Sequence, residues 1–205
     1  VSGWRSDGTG KFPTATPLTK WSATEGVIWK TPLPKQSNAS PTVVNDRIFI
    51  CQEQETLICL SAKDGKILWE ETLDWDALSN GTTRPPCHVA NGYTTPTPLS
   101  DGEHVYVVFG SGLAAAFDLE GKRLWARLIG RSAHEWGHSA SPVFSGGKII
   151  VHMSNKLMAL DPKSGRTFWS TPSVSFWGSP LPLEIGSGHA VLTSGGDIIL
   201  SRNGT

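Results

Sequence analysis

Four segments of this chain follow one pattern, and that repetition constrains the fold more than any other feature. They are "SPTVVNDRIFICQEQETLICLSAKDGKILWE" (Ser40 to Glu70), "TPTPLSDGEHVYVVFGSGLAAAFDLEGKRLWAR" (Thr95 to Arg127), "SPVFSGGKIIVHMSNKLMALDPKSGRTFWST" (Ser141 to Thr171) and "SPLPLEIGSGHAVLTSGGDIILSRNGT" (Ser179 to Thr205). Each opens on a Ser/Thr-Pro pair: Ser40-Pro41, Thr95-Pro96, Ser141-Pro142 and Ser179-Pro180. A polar turn leads to a β-branched run ("RIFI", "VYVV", "KIIV", "AVLT"), then to a second short strand ("TLICL", "LAAAF", "KLMAL", "DIILS"). In the first three units a glycine turn precedes a last strand carrying Trp69, Trp125 or Trp169; the fourth stops after its glycine.

Four short strands joined by tight turns make one β-propeller blade, and helical periodicity is absent. The expected fold is therefore all-β, a propeller of four-stranded antiparallel blades. The 205 residues divide into an N-terminal arm (1–25), a closing outer strand (26–34), blade 1 (40–70), blade 2 (95–127), blade 3 (141–171) and an incomplete blade 4 (179–205). Nine tryptophans against two tyrosines fit this scheme. One large ring at the same place in each unit fills the gap between blades, which bury their faces only against each other. Trp69, Trp125 and Trp169 are read as blade-docking residues. Trp29, in "GVIWKTPLP", stands where another blade's fourth strand belongs, so it is expected to complete blade 4 and close the ring non-covalently.

"ALDPKSGRTFW" (Ala159 to Trp169) resembles the A-x-D-x-x-T-G-x-x-x-W signature of pyrroloquinoline-quinone-type (PQQ-like) propeller repeats, with Ser164 for Thr. "AFDLEGKRLW" (Ala116 to Trp125) matches it with one residue deleted, and "CLSAKDGKILW" (Cys59 to Trp69) carries Cys59 for Ala and Ser61 for Asp. "GWRSDGTGKF" and "WKTPLP" are similar to the opening of exported bacterial members of that family, which share the architecture of the outer-membrane assembly lipoprotein. The resemblance implies a periplasmic or extracellular protein. It also implies a ring of about eight blades on a longer chain, so this chain reads as a fragment of such a ring. The strand count alone permits a closed ring of four.

"HEWGH" (His134 to His138) spells the H-E-x-x-H pattern of zinc proteases. That chemistry needs a helix, so that both histidines share a face. Here the letters contain Gly137, run at once into Ser141-Pro142, and form the connector into blade 3. The corresponding connectors hold Arg84, Cys87, His88 and Tyr93 before blade 2, and Trp177-Gly178 before blade 4. Connectors of this kind converge near a propeller's axis. Arg84, Tyr93, Trp136 and Trp177 are accordingly candidate ligand-binding residues, and Cys87, His88, His134 and His138 candidate metal ligands. Neutral imidazoles and a thiolate would suit a transition metal; calcium is the other candidate. The competing reading leaves all of them as connector residues whose histidines bond backbone carbonyls.

Quinone-dependent dehydrogenases of the resembling family imply a vicinal Cys-Cys ring, an Asp base and a Glu/Asn pair holding calcium. Cys51, Cys59 and Cys87 are not adjacent to one another, and no such acidic constellation is evident. PQQ is therefore not expected, nor any other cofactor. If the first hairpin turns near Glu55, Cys51 and Cys59 face each other and could form a disulfide in an oxidising compartment. Otherwise they are two small apolar core residues, as Cys59 at an alanine position suggests.

Eighteen Lys+Arg balance eighteen Asp+Glu, so nothing points to a nucleic-acid partner. No apolar run reaches the ~18 residues of a transmembrane helix. The functional expectation is a non-catalytic exported scaffold that binds protein partners, in a larger assembly, through its connector loops and blade edges. The alternative is a metal- or small-ligand-binding protein or enzyme, with quinoprotein-like oxidoreductase chemistry the foremost form, using the axial His/Cys/Trp loops.

Overall fold

A computed structural model describes residues 2–132, 134–174 and 177–205. Its strands group into four separate antiparallel sheets in chain order. Blade 1 comprises β1 (Thr42–Val44), β2 (Arg47–Gln52), β3 (Thr56–Ser61) and β4 (Ile67–Thr72). A single-turn helix, α1 (Trp75–Leu78), follows, with the Asp74 carboxylate capping its N-terminus. Blade 2 comprises β5 (Leu99–Ser100), β6 (His104–Val108), β7 (Leu113–Asp118) and β8 (Arg123–Leu128). Blade 3 comprises β9 (Val143–Ser145), β10 (Lys148–Met153), β11 (Lys156–Leu160) and β12 (Thr167–Pro172). Blade 4 has three strands, β13 (Leu181–Ile185), β14 (Gly188–Leu192) and β15 (Ile198–Leu200). Among the described residues no helix is long and apolar enough to cross a membrane.

The period-2 alternation of the middle strands decides which blade meets which. Phe49, Cys51, Leu57 and Cys59 share one face of blade 1 and pack against Val105, Val107, Ala115 and Phe117 of blade 2. The intervening residues of blade 2, Tyr106, Val108, Ala114 and Ala116, face Ile149, Val151, Met158 and Leu160 of blade 3. Val143, Ile150, Leu157 and Ala159 turn the other way, to Val191 of blade 4. Each inner blade is thus apolar on both faces, and the core is a series of inter-blade layers.

The tryptophans dock as the repeat implied. Trp69, Trp125 and Trp169 lie opposite Cys59, Ala116 and Ala159, where the small partner leaves room for an indole. A register shift follows that small residue in all three blades. Such a bulge re-aims a side chain across the sheet edge. Each indole reaches the β3–β4-type turn of the next blade: Trp69 Nε1 donates to Leu119 O (3.0 Å), Trp125 Nε1 to Pro162 O (2.8 Å) and Trp169 Nε1 to Ser201 O (3.0 Å). The rings lie over Gly121, Gly165 and Gly204, all with positive φ. A Cβ built at Gly165 would lie 2.6 Å from the Trp125 ring, so no other residue fits there.

Trp29 makes the same contact with blade 1, donating to Ala62 O (2.9 Å) over Gly65, while Thr31 Oγ1 donates to Gly65 O (2.6 Å). It therefore supplies a fourth-strand tryptophan to blade 1's outer side. The expected closing strand is not formed: residues 26–34 carry no strand, and among the described residues β15 pairs only with β14. Docking of the ring needs one turn of the neighbour, whereas sheet pairing needs a whole register, and only the first is met.

Two other expectations are corrected. Blade 2 opens at Thr97-Pro98, not at Thr95-Pro96. Ser40 N donates to Thr97 Oγ1 (3.3 Å), Thr97 N to Ser141 Oγ (3.0 Å) and Ser141 N to Ser179 Oγ (2.9 Å), so these hydroxyls stitch consecutive inner strands together. Cys51 and Cys59 are free thiols. The β2–β3 register sets Cys51 opposite Leu57 and Cys59 opposite Phe49. The two sulfurs share a face but sit diagonally, and both are buried, which raises both thiol pKa values. The N-terminal arm pairs Ser2 with Ser100 and runs past Leu99, Pro142 and Pro182, along the inner strands of three blades.

Two outcomes follow. Trp125→Ala should lower unfolding free energy by about 3 kcal/mol, by loss of an interlocked ring. Trp125→Phe, which keeps a ring but not the donor, should lose about 1 kcal/mol. Urea titration followed by circular dichroism distinguishes them; equal losses would discount the hydrogen bond. In the native state at most one of the three thiols, the partly exposed Cys87, should react with a disulfide reagent, and all three should react in denaturant.

Candidate functional site

Three connectors, after β4, β8 and β12, meet in series. The first (residues 73–98) is anchored on the turn between β2 and β3. Glu53 Oε1 accepts from Tyr93 N (2.7 Å), Thr94 N (3.0 Å) and Thr94 Oγ1 (2.8 Å), closing an anion on three donors. Arg84 lies 5.1 Å from the Trp75 ring and 5.6 Å from the Tyr93 ring, and pairs with buried Glu55 at 3.3 Å. Burial raises the Glu55 carboxyl pKa, offset in part by the Ser111 hydroxyl and the Arg84 charge. Tyr93 Oη donates to Pro85 O (2.7 Å). Arg84 and Tyr93, expected in a ligand site, thus work as connector anchors. Their groups are occupied by Gln54, Glu55 and Pro85.

Beyond Tyr93 the first connector touches the second. The His88 ring stacks on Trp136 with centroids 4.0 Å apart and planes 19° apart. Cys87 Sγ donates to Gly92 O (2.9 Å) and packs on Gly137, whose φ of +91 lets the chain pass close to the sulfur. Asn91 Nδ2 donates to His138 O (3.4 Å), and its Oδ1 accepts from Thr95 Oγ1 (2.9 Å). The second connector meets the third in turn. Ser139 Oγ donates to Trp177 O (3.1 Å), and the His134 ring stands edge-on to Trp177 at 5.0 Å. Asn91, His134, Trp136, Ser139 and Trp177 line a cleft of about 380 Å³. No Asp, Glu, Lys or Arg is among these lining residues. Trp136 and Trp177 are 46% and 48% exposed.

The four candidate metal ligands go to different tasks. His138 is buried and donates from Nε2 to Ala140 O (2.9 Å); burial pushes its pKa down to about 4. His88 stacks on one indole, His134 meets another, and the Cys87 thiol is raised in pKa by burial. Among the described residues no group of three or more His, Cys, Asp or Glu could hold a metal. The residues present therefore do not fit a quinone–calcium centre either, which needs such an acidic set. The "HEWGH" letters form a turn, with Gly137 N bonded to His134 O (2.9 Å), and not a helix, so the zinc-protease geometry is absent from them.

Sequence reasoning missed Asn91 and Glu53. The Asn91-Gly92 dipeptide signals the turn that presents Asn91, but nothing local marks Glu53, whose three partners lie some forty residues on.

A pH dependence follows from His138. Its folded pKa lies below the unfolded value near 6.5, so between about pH 6.5 and 4 the unfolded state binds more protons. Stability should be constant above about pH 7 and fall by up to about 3 kcal/mol on acidification to pH 4. Melting curves of wild type and His138→Gln should diverge in that window, with the variant less acid-sensitive.

Residues 18–179 match the family model described as "Outer membrane protein assembly factor BamB". The protein of that name from Moranella endobia is 32% identical over 139 residues, 65% of this chain and 32% of its own length. Polyvinylalcohol dehydrogenase of a Pseudomonas species is 27% identical over 166 residues, 71% of this chain and 24% of its own. The crystal structure of BamB from Moraxella catarrhalis superposes with a TM-score of 0.58 at 17% identity, covering 86% of this chain and 66% of that one. The chain spans about a third or less of the length of these two curated relatives. With most of its length inside the family model and the blades of that fold in its sheets, the chain belongs to the PQQ-like propeller family of the outer membrane protein assembly factor BamB.

Proposed function

We propose that the chain is part of a non-catalytic, exported propeller that serves as a binding scaffold in the assembly of outer-membrane proteins, in the periplasm. One observation carries the reading: three successive connectors line one cleft that holds two half-exposed indoles and, among its described lining residues, no charged side chain, on a stack of interlocked blades. Partly exposed aromatic side chains with polar tips are the groups most enriched in protein-binding surfaces. The curated relatives named as assembly factors support the assembly role. The alternative of a quinone-dependent or metal-dependent enzyme draws support only from the distant dehydrogenase likeness, and the dispersed Cys and His side chains argue against it. The scaffold reading requires no cofactor.

The test is deletion of the gene in its native host, with quantification of β-barrel proteins in the outer membrane. Barrel content should fall and recover when the full-length gene is restored. Unchanged barrel content on deletion would sink the assembly role.

A further inference from the structure

We propose that the cleft between Trp136 and Trp177 receives a proline-rich, extended segment of a partner protein. The inference rests on the scaffold reading and names the chemistry of what is bound.

The four blade-docking tryptophans all spend their indole N–H on a backbone carbonyl, at 2.8–3.0 Å. Trp136 and Trp177 do not: among the described residues neither indole N–H has a partner. His134 Nδ1 accepts from Trp136 N (3.1 Å), so the neutral imidazole carries its proton on Nε2, a third donor left without a partner among the described residues. Among the other polar side chains of the described lining, only the Ser139 oxygen keeps an acceptor without a partner. Asn91 uses Nδ2 on His138 O and Oδ1 on Thr95, and Ser139 donates its proton to Trp177 O. The unspent capacity of the cleft is therefore mainly donor capacity, next to two exposed indole faces and without a charged side chain in the lining.

The complementary ligand offers acceptors without donors, carries no charge and presents flat apolar rings. Consecutive prolines meet all three conditions: each has a carbonyl, none has an N–H, and the ring packs on an aromatic face. Their polyproline II backbone is already extended, so little conformational entropy is lost on docking. A pyranose fits less well. Its hydroxyls donate as well as accept, and the described lining offers three free donors against the one free acceptor oxygen of Ser139. The indoles are held ready for contact: the His88 ring backs Trp136, and the Ser139 hydroxyl together with the His134 edge fixes Trp177. The volume of about 380 Å³ falls within the range of about 300–1,000 Å³ for ligand clefts, enough for a short segment and too little for a domain.

The experiment follows indole N–H signals by ¹H–¹⁵N NMR, with Trp136 and Trp177 assigned through Trp136→Phe and Trp177→Phe. Three probes are added to the purified chain: an oligoproline peptide of about ten residues, a Gly-Ser peptide of equal length, and a chitooligosaccharide. Oligoproline should shift both signals saturably, and the Gly-Ser peptide should not. Trp136→Phe keeps a ring to stack on His88 but lacks the donor, so it should weaken binding about tenfold without changing the melting temperature. Equal shifts with the Gly-Ser peptide, shifts with the oligosaccharide alone, or no shift at all would overturn the proposal. If the signals stay still while gene deletion lowers barrel content, the cleft inference falls and the scaffold reading stands. The converse result removes the scaffold reading and leaves the cleft.

Discussion

Everything in this structure depends on one contact repeated between neighbours, an indole laid across the glycine turn of the next blade. The contact has three features, two of which belong to the strand-borne copies. A small residue sits opposite the tryptophan and a bulge tips the ring outward in blades 1 to 3, and in all four copies, that of Trp29 included, the receiving turn lacks a Cβ. Cys59, Ala116 and Ala159 provide the first, and the register shifts after them provide the second. Gly65, Gly121, Gly165 and Gly204 provide the third. Because each blade is apolar on the faces it turns to its neighbours, the contact also fixes their relative orientation, by tying an outer strand to an adjacent turn. At the inner rim the Ser40–Thr97–Ser141–Ser179 hydroxyl chain does the same with hydrogen bonds. Blades pinned at both rims have little freedom to rotate, so the connectors leave each outer strand at a constant offset from the last.

That constant offset explains why the connectors form a site. Residues of successive connectors arrive side by side, and they meet across chain separations of about forty to fifty residues. His88 meets Trp136, and Ser139 meets Trp177. The same geometry explains why a metal site does not arise. A metal needs three or more donors pointing at one centre, whereas among the described residues the candidate donors Cys87, His88, His134 and His138 are turned to different partners. His138, the most buried of the candidates, is turned to Ala140 O within its own connector.

The sequence was most informative where structure follows from local rules repeated several times. Strand order, turn glycines and the docking tryptophans were legible because each appears in several copies whose alignment cancels local ambiguity. The failures occurred where a decision rests on one distant atom. "TTPTP" offers two Thr-Pro pairs, and only the bonds linking Thr97 to Ser40 and Ser141 select the second. The Cys51 and Cys59 pairing turned on whether the hairpin is centred on Gln54 or Glu55, a difference that moves the partner by two residues. The segment around Trp29 supplies a docking ring and no sheet strand, because one indole over one turn suffices for the first and a whole pairing register is needed for the second. In the connectors the residue types were recognisable, but their allegiance was not. Arg84 and Tyr93 belong to blade 1 through Glu53, Gln54 and Glu55, partners some thirty to forty residues away.

The division of labour among the nine tryptophans carries the last step. An indole N–H is a single donor, and leaving it unpaired in a buried place costs about 1–3 kcal/mol. In the four docking tryptophans that donor is spent within the fold, which makes them part of the scaffold. Trp136 and Trp177 stand half in solvent, where water satisfies the donor until something displaces it. A group displacing that water keeps its affinity only if it replaces the hydrogen bond, so the cleft selects for a carbonyl over a methylene or an N–H. The pinned blades hold the rings still, and an aromatic surface that does not reorganise loses little entropy on binding. The same contact that fixes the blades therefore supplies the rigidity that the proposed docking cleft requires.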